Sequence, residues 1–216
     1  MEALPLAFTS GWASGINAYA CVLILGLLGR FAGADDVPTA LTSNGVLIAA
    51  GVLFAFEFVA DKIPYIDSAW DAISTVIRPT VGVIVAALLS GEASTLEQAL
   101  VATAGGLVAL LSHAVKSSLR LAINTSPEPV TNIAASSGED IAVVGVVSLA
   151  VFHPEVALVI AGILLVLGLI GVYVAFRFIK RGYARFTAWR EKRRDPAAGS
   201  SSAVSPDRGG GAGKEE

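Results

Sequence analysis

The chain has 216 residues, of which 54% are hydrophobic and only 15% are charged. Soluble domains usually carry about a quarter charged residues, so this composition argues against a globular cytosolic protein. Of the 15 lysines and arginines, eight lie between Arg177 and Arg194, and only five lie in the first 176 residues. Five cations cannot solvate the surface of a body of that size, and we therefore infer an integral membrane protein.

The remaining composition excludes several kinds of site. The net charge of −3 averages a nearly neutral body and a basic C-terminal segment, and no basic stretch interleaved with aromatic residues precedes Arg177, so nucleic acid is not an expected partner. The one cysteine, Cys21, excludes an intrachain disulfide and a cysteine-based metal site. Glycine-rich phosphate loops and hydrolase motifs are absent from the sequence, and we predict no cofactor and no metal.

Six apolar stretches follow one another along the chain, at residues 11–32, 44–60, 79–89, 96–113, 141–152 and 154–178. A helix needs about 20 residues to cross the hydrocarbon core of a bilayer. The stretches 79–89 and 141–152 would reach only about 16–18 Å as helices. Such short segments either span in a thin or tilted setting or form half-helices that line a cavity.

The few charges of the body favour one topology. If all six stretches cross the membrane and the basic C-terminal segment is cytoplasmic, then Lys62, Arg78, Lys116 and Arg120 all fall on the cytoplasmic side. The outer loops then hold mainly acidic residues, with Arg30 as the one exception. We predict a multi-pass protein of the inner (plasma) membrane with both termini in the cytoplasm.

A polar but patterned stretch joins the second and third apolar runs. Apolar residues, Trp70 among them, recur at helical spacing between residues 61 and 77, while Asp67 and Asp71 occupy other positions around the same helix. We predict an amphipathic helix on the cytoplasmic membrane surface that ends near Arg78, with its charged residues forming a solvated face. The alternative is a carboxylate pair that holds a divalent metal against a lipid phosphate.

Residues 125–140 contain two prolines and are expected to form a polar loop. Ser137 is then the N-cap of the next helix, with Glu139 and Asp140 in its first turn. The sequence SGED at 137–140 also resembles SGIN at 14–17, which hints at an internal duplication. A duplication would matter because many transporter folds form their binding sites where repeats meet.

Several polar residues lie where the pattern expects membrane. Ionisable groups are rare inside spans because each costs about 2.5–3.5 kcal/mol at the helix centre. Glu57 and Asp61 are one turn apart, and His113 and Lys116 share a face of another segment. We hypothesise that these two pairs meet in a polar path that also includes Asn17. The alternatives are solvation at headgroup depth for the charged groups and simple helix packing for Asn17.

Three strings carry a resemblance to a known family. They are SGINAYA at 14–20, DKIPYIDSAWD at 61–71 and NTSPEP at 124–129. They resemble a family of bacterial multi-pass membrane proteins known only as a domain of unknown function. The likeness covers roughly residues 8–180, and its most specific part is the second string. The resemblance implies a membrane protein, and it implies no activity, substrate or catalytic residue.

The sequence thus predicts an all-α, polytopic membrane helix bundle with about six transmembrane segments, two of them short or broken, and one cytoplasmic interfacial helix. We divide the chain into a transmembrane domain with a basic cytoplasmic end, residues 1–194, and a disordered Gly/Ser-rich tail, residues 195–216. The expected partners are the lipid bilayer, a small solute or ion, and further copies of the chain in a homo-oligomer.

Three functions remain open for such a bundle. The first is a small transporter- or channel-like protein with a polar path near the second and fourth spans. The second is a membrane scaffold or assembly factor that binds lipid or a partner through the amphipathic helix and the basic segment, where each cation contributes about 1 kcal/mol against an anionic leaflet. The third is a lipid-modifying enzyme, which the absence of a catalytic motif disfavours.

Overall fold

The computed structural model describes residues 3–91, 93–124 and 129–194, and within these residues it is helical with no strand. Its helices are α1 (Ala3–Phe31), α2 (Asn44–Ala60), α3 (Pro64–Leu89), α4 (Thr95–Asn124), α5 (Pro129–Phe152) and α6 (Pro154–Arg194). All except α2 are long and apolar enough to cross a membrane by length and composition. The prediction of an all-α polytopic bundle is therefore confirmed.

The two short apolar runs are parts of longer helices. Residues 79–89 continue the amphipathic stretch in α3, which has 26 residues and begins with Pro64. Proline is favoured at a helix start because its missing N–H is not needed there. Pro79 lies inside α3 without ending it. The predicted separate interfacial helix is thus corrected to the first half of a membrane-length helix.

A second correction concerns the segment before residue 141. Here α5 begins at Pro129 and has 24 residues, so Ser137 lies inside the helix and is not its N-cap. Glu139 and Asp140 are likewise in mid-helix rather than in a first turn. The polar composition of this segment does not mark a loop, because these side chains have polar partners inside the bundle.

Helix α1 is broken at Asn17, whose φ of −148° and ψ of 97° are extended. The thiol of Cys21 donates a hydrogen bond to the Ser10 carbonyl at 3.5 Å, although residues 11 apart on a straight helix are about 16 Å apart. The arm 18–31 therefore folds back along the arm 3–16. Accordingly, Pro5 and Asp36 line one and the same cavity.

The break in α1 differs from the expected single span at residues 11–32. Each arm has about 14 residues and reaches only about 21 Å, which is less than the thickness of the hydrocarbon core. The interruption expected at residues 79–89 and 141–152 thus occurs at Asn17 instead. An asparagine tolerates the turn because its own side chain can cap the following helix.

Small residues bring the first arm of α1 against α3 and α4. A Cβ built on Gly11 would lie 2.5 Å from the Gly105 carbonyl oxygen, and one built on Gly82 would lie 2.6 Å from the Ala109 Cβ. Hydrogen bonds cross the same contacts, since Ser112 Oγ donates to the Trp12 carbonyl at 2.8 Å. Close backbone approach of this kind is typical of helix packing in membranes.

The chain divides into two compact units, Met1–Tyr173 and Val174–Glu216. In the first unit α6 buries Ala157, Ala161 and Leu165, a stripe at i, i+4 and i+8. The described part of the second unit is helical through Arg194 and exposes apolar side chains such as that of Phe178. The predicted disordered tail, residues 195–216, lies outside the described residues.

Candidate functional site

Eight charged side chains form one ion-paired group in the interior, which we call the ionic cluster. Its members are Glu57, Asp61, Asp67, Asp71, Arg78, Lys116, Arg120 and Glu139. All are buried except Glu139, whose side chain is 22% exposed. Five acidic and three basic groups give the ionic cluster a formal excess of two negative charges. Such burial is stable only where each charge has close partners.

Arg78 of α3 lies at the centre of the ionic cluster. Its Nη2 donates to Glu57 Oε1 of α2 at 2.6 Å, and its Nη1 lies 3.1 Å from Asp71 Oδ1, seven residues earlier on α3. Nη1 also donates to the Gly15 carbonyl at 3.4 Å, near the end of the first arm of α1. Arg78 thus joins three helices, because its fork of donors can reach several acceptors.

Lys116 of α4 makes the second set of contacts. Its Nζ lies 2.8 Å from Asp61 Oδ2, 3.5 Å from Glu139 Oε2 and 4.0 Å from Glu57 Oε1. It also donates to the Ile16 carbonyl at 3.0 Å. The last carbonyls of a helix carry partial negative charge, so Lys116 and Arg78 both stabilise the end of the first arm of α1.

Arg120 ties α4 to α5 and to the turn between α2 and α3. It donates to Glu139 Oε2 at 2.7 Å and to Asn132 Oδ1 at 2.7 Å. The backbone carbonyl of Asp61 accepts from Arg120 Nη1 and from Asn132 Nδ2, each at 3.1 Å. Asp67 Oδ1 lies 3.8 Å from Arg120 Nη1. The turn that ends α2 is therefore held by side chains of two other helices.

His113 of α4 connects Arg78 to Thr75. Its Nδ1 lies 2.8 Å from Arg78 Nη1, and its Nε2 lies 3.0 Å from Thr75 Oγ1. An arginine only donates, so Nδ1 must accept and the imidazole is the neutral tautomer with its proton on Nε2. The predicted contact between Glu57 and His113 is therefore a chain of three residues with Arg78 in the middle.

The break in α1 contacts α5 through one hydrogen bond. Asn17 Oδ1 accepts from the Ala20 N–H at 2.9 Å and so caps the second arm of α1, while its Nδ2 donates to Asp140 Oδ1 at 3.1 Å. Asn17 and Asp140 are the last residues of the two similar tetrapeptides, and the fold brings them together. Asp140 Oδ2 is buried and accepts no hydrogen bond.

Of three cavities in the described part of the bundle, two border the ionic cluster. One of about 260 Å³ lies between α3 and α4 and is lined by Asp71, Thr75 and Arg120. One of about 940 Å³ lies at the end of the bundle where the chain starts and is lined by Pro5 and Leu89 among others. The first cavity borders the ionic cluster at Asp71 and Arg120. None of the residues that line the second belongs to the ionic cluster, and Leu89 is 11 residues, or about 16 Å of helix, beyond Arg78.

The third cavity, of about 320 Å³, is mainly apolar and reaches the ionic cluster at Lys116 and Glu139. Its other walls come from α1, α4, α5 and α6, for example Trp12 and Leu165. Among the described residues, no group of three or more His, Cys, Asp or Glu side chains is arranged to hold a metal ion.

The residues expected in the polar path all lie in this region. The structure brings Glu57, Asp61 and Lys116 into direct contact, and His113 joins them through Arg78. Asn17 is completely buried one residue after Ile16, the carbonyl of which accepts a hydrogen bond from the Lys116 ammonium.

The residues assigned to a solvated interfacial face lie elsewhere than expected. Asp67, Asp71 and Arg78 are 0%, 6% and 1% exposed, so the solvated face is wrong for these three. They face the bundle because each finds a charged partner there. Trp70 packs its ring against Phe56 at 4.8 Å between centroids.

Sequence reasoning missed the contribution of α5. Asn132, Ser136 and Asp140 are buried and lie at i, i+4 and i+8, which is one face of a helix. The same signal runs through α3, where Asp67, Asp71, Ser74 and Arg78 are all buried at helical spacing. A polar stripe inside an otherwise apolar helix therefore identifies the inward face in this protein.

Of three comparisons with known proteins, one gives a match. No curated protein and no solved structure matches the chain. A family model matches residues 4–173, which is most of the chain and includes the whole ionic cluster. The chain therefore belongs to the family described as Domain of unknown function (DUF4126).

Proposed function

We propose that this membrane protein is a small transporter-like protein in which the ionic cluster is the closed part of a path for a small solute or ion. The observation that carries this proposal is that the ionic cluster lies directly beside a broken helix and borders a cavity at Asp71 and Arg120. Broken helices that expose backbone groups inside the bundle are typical of transporter binding sites.

Burial of so many charges supports a function rather than a purely structural role. Apolar residues of similar volume often stabilise a protein as well as a buried ion pair does, because the ions lose their hydration. The negative excess of the ionic cluster favours a positively charged occupant, as do the buried oxygens Glu57 Oε2 and Asp61 Oδ1, which accept no hydrogen bond. Asp36 and Glu155 line the large cavity and add negative charge there.

We further propose a topology in which the N terminus lies outside the cytoplasm. Because α1 folds back at Asn17, its two ends lie on the same side, and α2 is the first helix to run toward the other side. The turn after α2 carries Lys62, and the positive-inside rule favours the cytoplasm for it and for the basic segment that begins at Arg177. This differs from the expectation that both termini are cytoplasmic.

Cysteine labelling tests the topology. Cys21 is buried, so single cysteines can be added to the native chain at two exposed or half-exposed positions, Leu4→Cys at the start of α1 and Lys62→Cys. In intact cells a membrane-impermeant maleimide should label the first and leave the second unlabelled. Protection of both positions until the cells are lysed would contradict the fold-back of α1.

Flux in proteoliposomes tests the transport function. The purified chain is reconstituted and screened with protons, sodium, potassium and chloride, each followed by an ion-sensitive dye inside the vesicles. Wild type should give a flux above that of protein-free vesicles. Glu57→Gln removes the charge that pairs with Arg78 Nη2 and should reduce this flux at least tenfold.

The matched control for this experiment is Asp35→Asn, which removes one acidic charge from an exposed loop position. It should transport at the wild-type rate. A flux that Glu57→Gln leaves unchanged would remove the ionic cluster from the path. Absence of any flux with the four ions would overturn the proposed function.

A further inference from the structure

Asp140 differs from the carboxylates of the ionic cluster in its partners. Glu57, Asp61, Asp67, Asp71 and Glu139 each have a basic side chain in ion-pair contact. Among the residues that the structure describes, Asp140 has no ion pair, and its one side-chain hydrogen bond comes from the neutral amide of Asn17. Its second oxygen, Oδ2, is buried without a donor.

The groups around Asp140 balance the negative charge of its ionised carboxylate only weakly. The residue is only 7% exposed and lies midway along α5. The charged groups that act on it are Asp61 and Lys62 in the turn between α2 and α3, and Lys116 on α4. Glu139 is its neighbour in the sequence. Lys116 is in contact with Asp61 and Glu139, so its charge is already shared between two other carboxylates.

We propose that Asp140 is a proton-binding site and that Asn17 links its protonation to the break in α1. This inference rests on the proposed transport function and names the proton as the ion that the site exchanges. A proton from water adds to Oδ2, an O–H bond forms, and the carboxylate becomes a neutral carboxylic acid. On release the O–H bond breaks and the proton returns to water.

A proton suits this site better than a metal ion does. A hard cation takes about six oxygen ligands, whereas the described residues hold no group of even three His, Cys, Asp or Glu side chains arranged for a metal ion. A proton needs one oxygen, and Oδ2 is free to take it. Protonation of Asp140 removes the free-energy cost of a buried negative charge. The carboxylates of the ionic cluster do not need a proton for this, because cations pair with them.

Asn17 is the residue through which the site acts on the fold. Its amide hydrogen bonds Asp140 with Nδ2, while its Oδ1 caps the second arm of α1 at Ala20. A hydrogen bond to an ionised acceptor is about twice as strong as one to a neutral acceptor. Loss of the charge on Asp140 therefore weakens the contact that holds Asn17, and with it the junction between the two arms.

Infrared difference spectroscopy tests the site directly. Full-length protein in lipid nanodiscs is recorded at several pH values across the range in which it stays folded, and the carbonyl stretch of protonated carboxyl groups is followed. A pH-dependent band should be present in wild type and lost in Asp140→Asn. It should persist in Glu139→Gln, a neighbour on the same helix that is ion-paired.

A second variant keeps the test decisive if Asp140→Asn does not fold. Asn17→Ala removes the one side-chain hydrogen bond to Asp140, so the wild-type band should persist but shift in frequency. A band that neither substitution changes would overturn the proposal. Circular dichroism and size-exclusion chromatography identify the variants that are folded.

The two proposals fail in distinguishable ways. If the band depends on Asp140 but wild-type vesicles carry no flux, the proton site stands and the transport function is wrong. If vesicles carry a flux that Asp140→Asn leaves unchanged in rate and in pH dependence, transport stands and the proton site is wrong.

Discussion

Two regions of the bundle are held together by opposite means. Toward the start of the chain, α1, α3 and α4 meet through small residues such as Gly11, Gly82 and Gly105, whose backbones touch. A turn or more away on the same helices, the contacts are charged and involve Arg78 and Lys116. Lipid tails are as apolar as leucine, so helices in a membrane associate through close packing and polar bonds. This protein uses each means in its own region.

The two regions are expected to respond differently to substitution. Backbone contact is lost whenever any side chain is added, whatever its chemistry. The ionic cluster is instead sensitive to charge, because removal of one partner leaves the other buried and unpaired. The stability experiments below compare these sensitivities, each against a control in the same chain.

The largest effect is expected for Arg78→Gln. It leaves Glu57 and Asp71 without their closest cation, and loss of one partner of a buried pair costs about 3–5 kcal/mol. Denaturation of the purified protein in one detergent measures the change in the free energy of unfolding. Arg30→Gln is the control, since the Arg30 side chain bonds Asn44 at the exposed end of α1 and should contribute under about 1 kcal/mol. Equal losses in the two variants would contradict a special role for the ionic cluster.

A smaller effect is expected for Gly105→Ala in the packed region. The added Cβ would lie 2.4 Å from the Ala86 Cβ, so α3 and α4 must separate, at a cost of about 1–3 kcal/mol. Gly162→Ala is the matched control, since a Cβ there meets nothing within 4 Å, and it should be neutral or stabilising by up to about 1 kcal/mol. The same denaturation assay applies. If Gly162→Ala lowered the free energy of unfolding and Gly105→Ala did not, close packing would not be what holds α3 and α4 together.

The smallest effect is expected for Asn17→Ala, at the boundary between the two regions. It removes the cap of the second arm and the bond to Asp140, and loss of such a cap costs about 1 kcal/mol. The control is Ser43→Ala at the N-cap of α2, whose side chain makes no capping hydrogen bond. Its midpoint of thermal unfolding should stay at the wild-type value. A larger loss at Ser43 than at Asn17 would argue against the Asn17 cap.

Much of the candidate site could be predicted because ionisable residues inside apolar segments are conspicuous. Glu57 and Lys116 stand out in the sequence for this reason, and the fold places them 4.0 Å apart. Asp67 and Asp71 could not be placed in the same way, since a solvated face and a buried polar face have the same helical period. Only the contacts of Asp67 with Arg120 and of Asp71 with Arg78 distinguish a buried face from a solvated one.

Helix boundaries were harder to predict than helix positions. Apolar content alone would begin α5 at residue 141, yet the helix begins at Pro129 because Asn132, Ser136 and Asp140 find hydrogen-bond partners in other parts of the bundle. Local sequence contains no information about such partners. The similarity of SGIN at 14–17 to SGED at 137–140 did indicate one such partner, because the last residues of the two strings form a hydrogen bond in the fold.

The shortage of charge by itself determined that this chain is a helical membrane protein, because apolar surface without solvating charge is stable in lipid and not in water. The sequence also marked most residues of the interior by their polarity. The tertiary structure alone decided that α1 breaks at Asn17, that the charges form one cluster, and that no cation of the described residues pairs with Asp140. These properties depend on which groups of distant helices come within a few ångströms of one another, and pairing at that range is decided by packing rather than by local pattern.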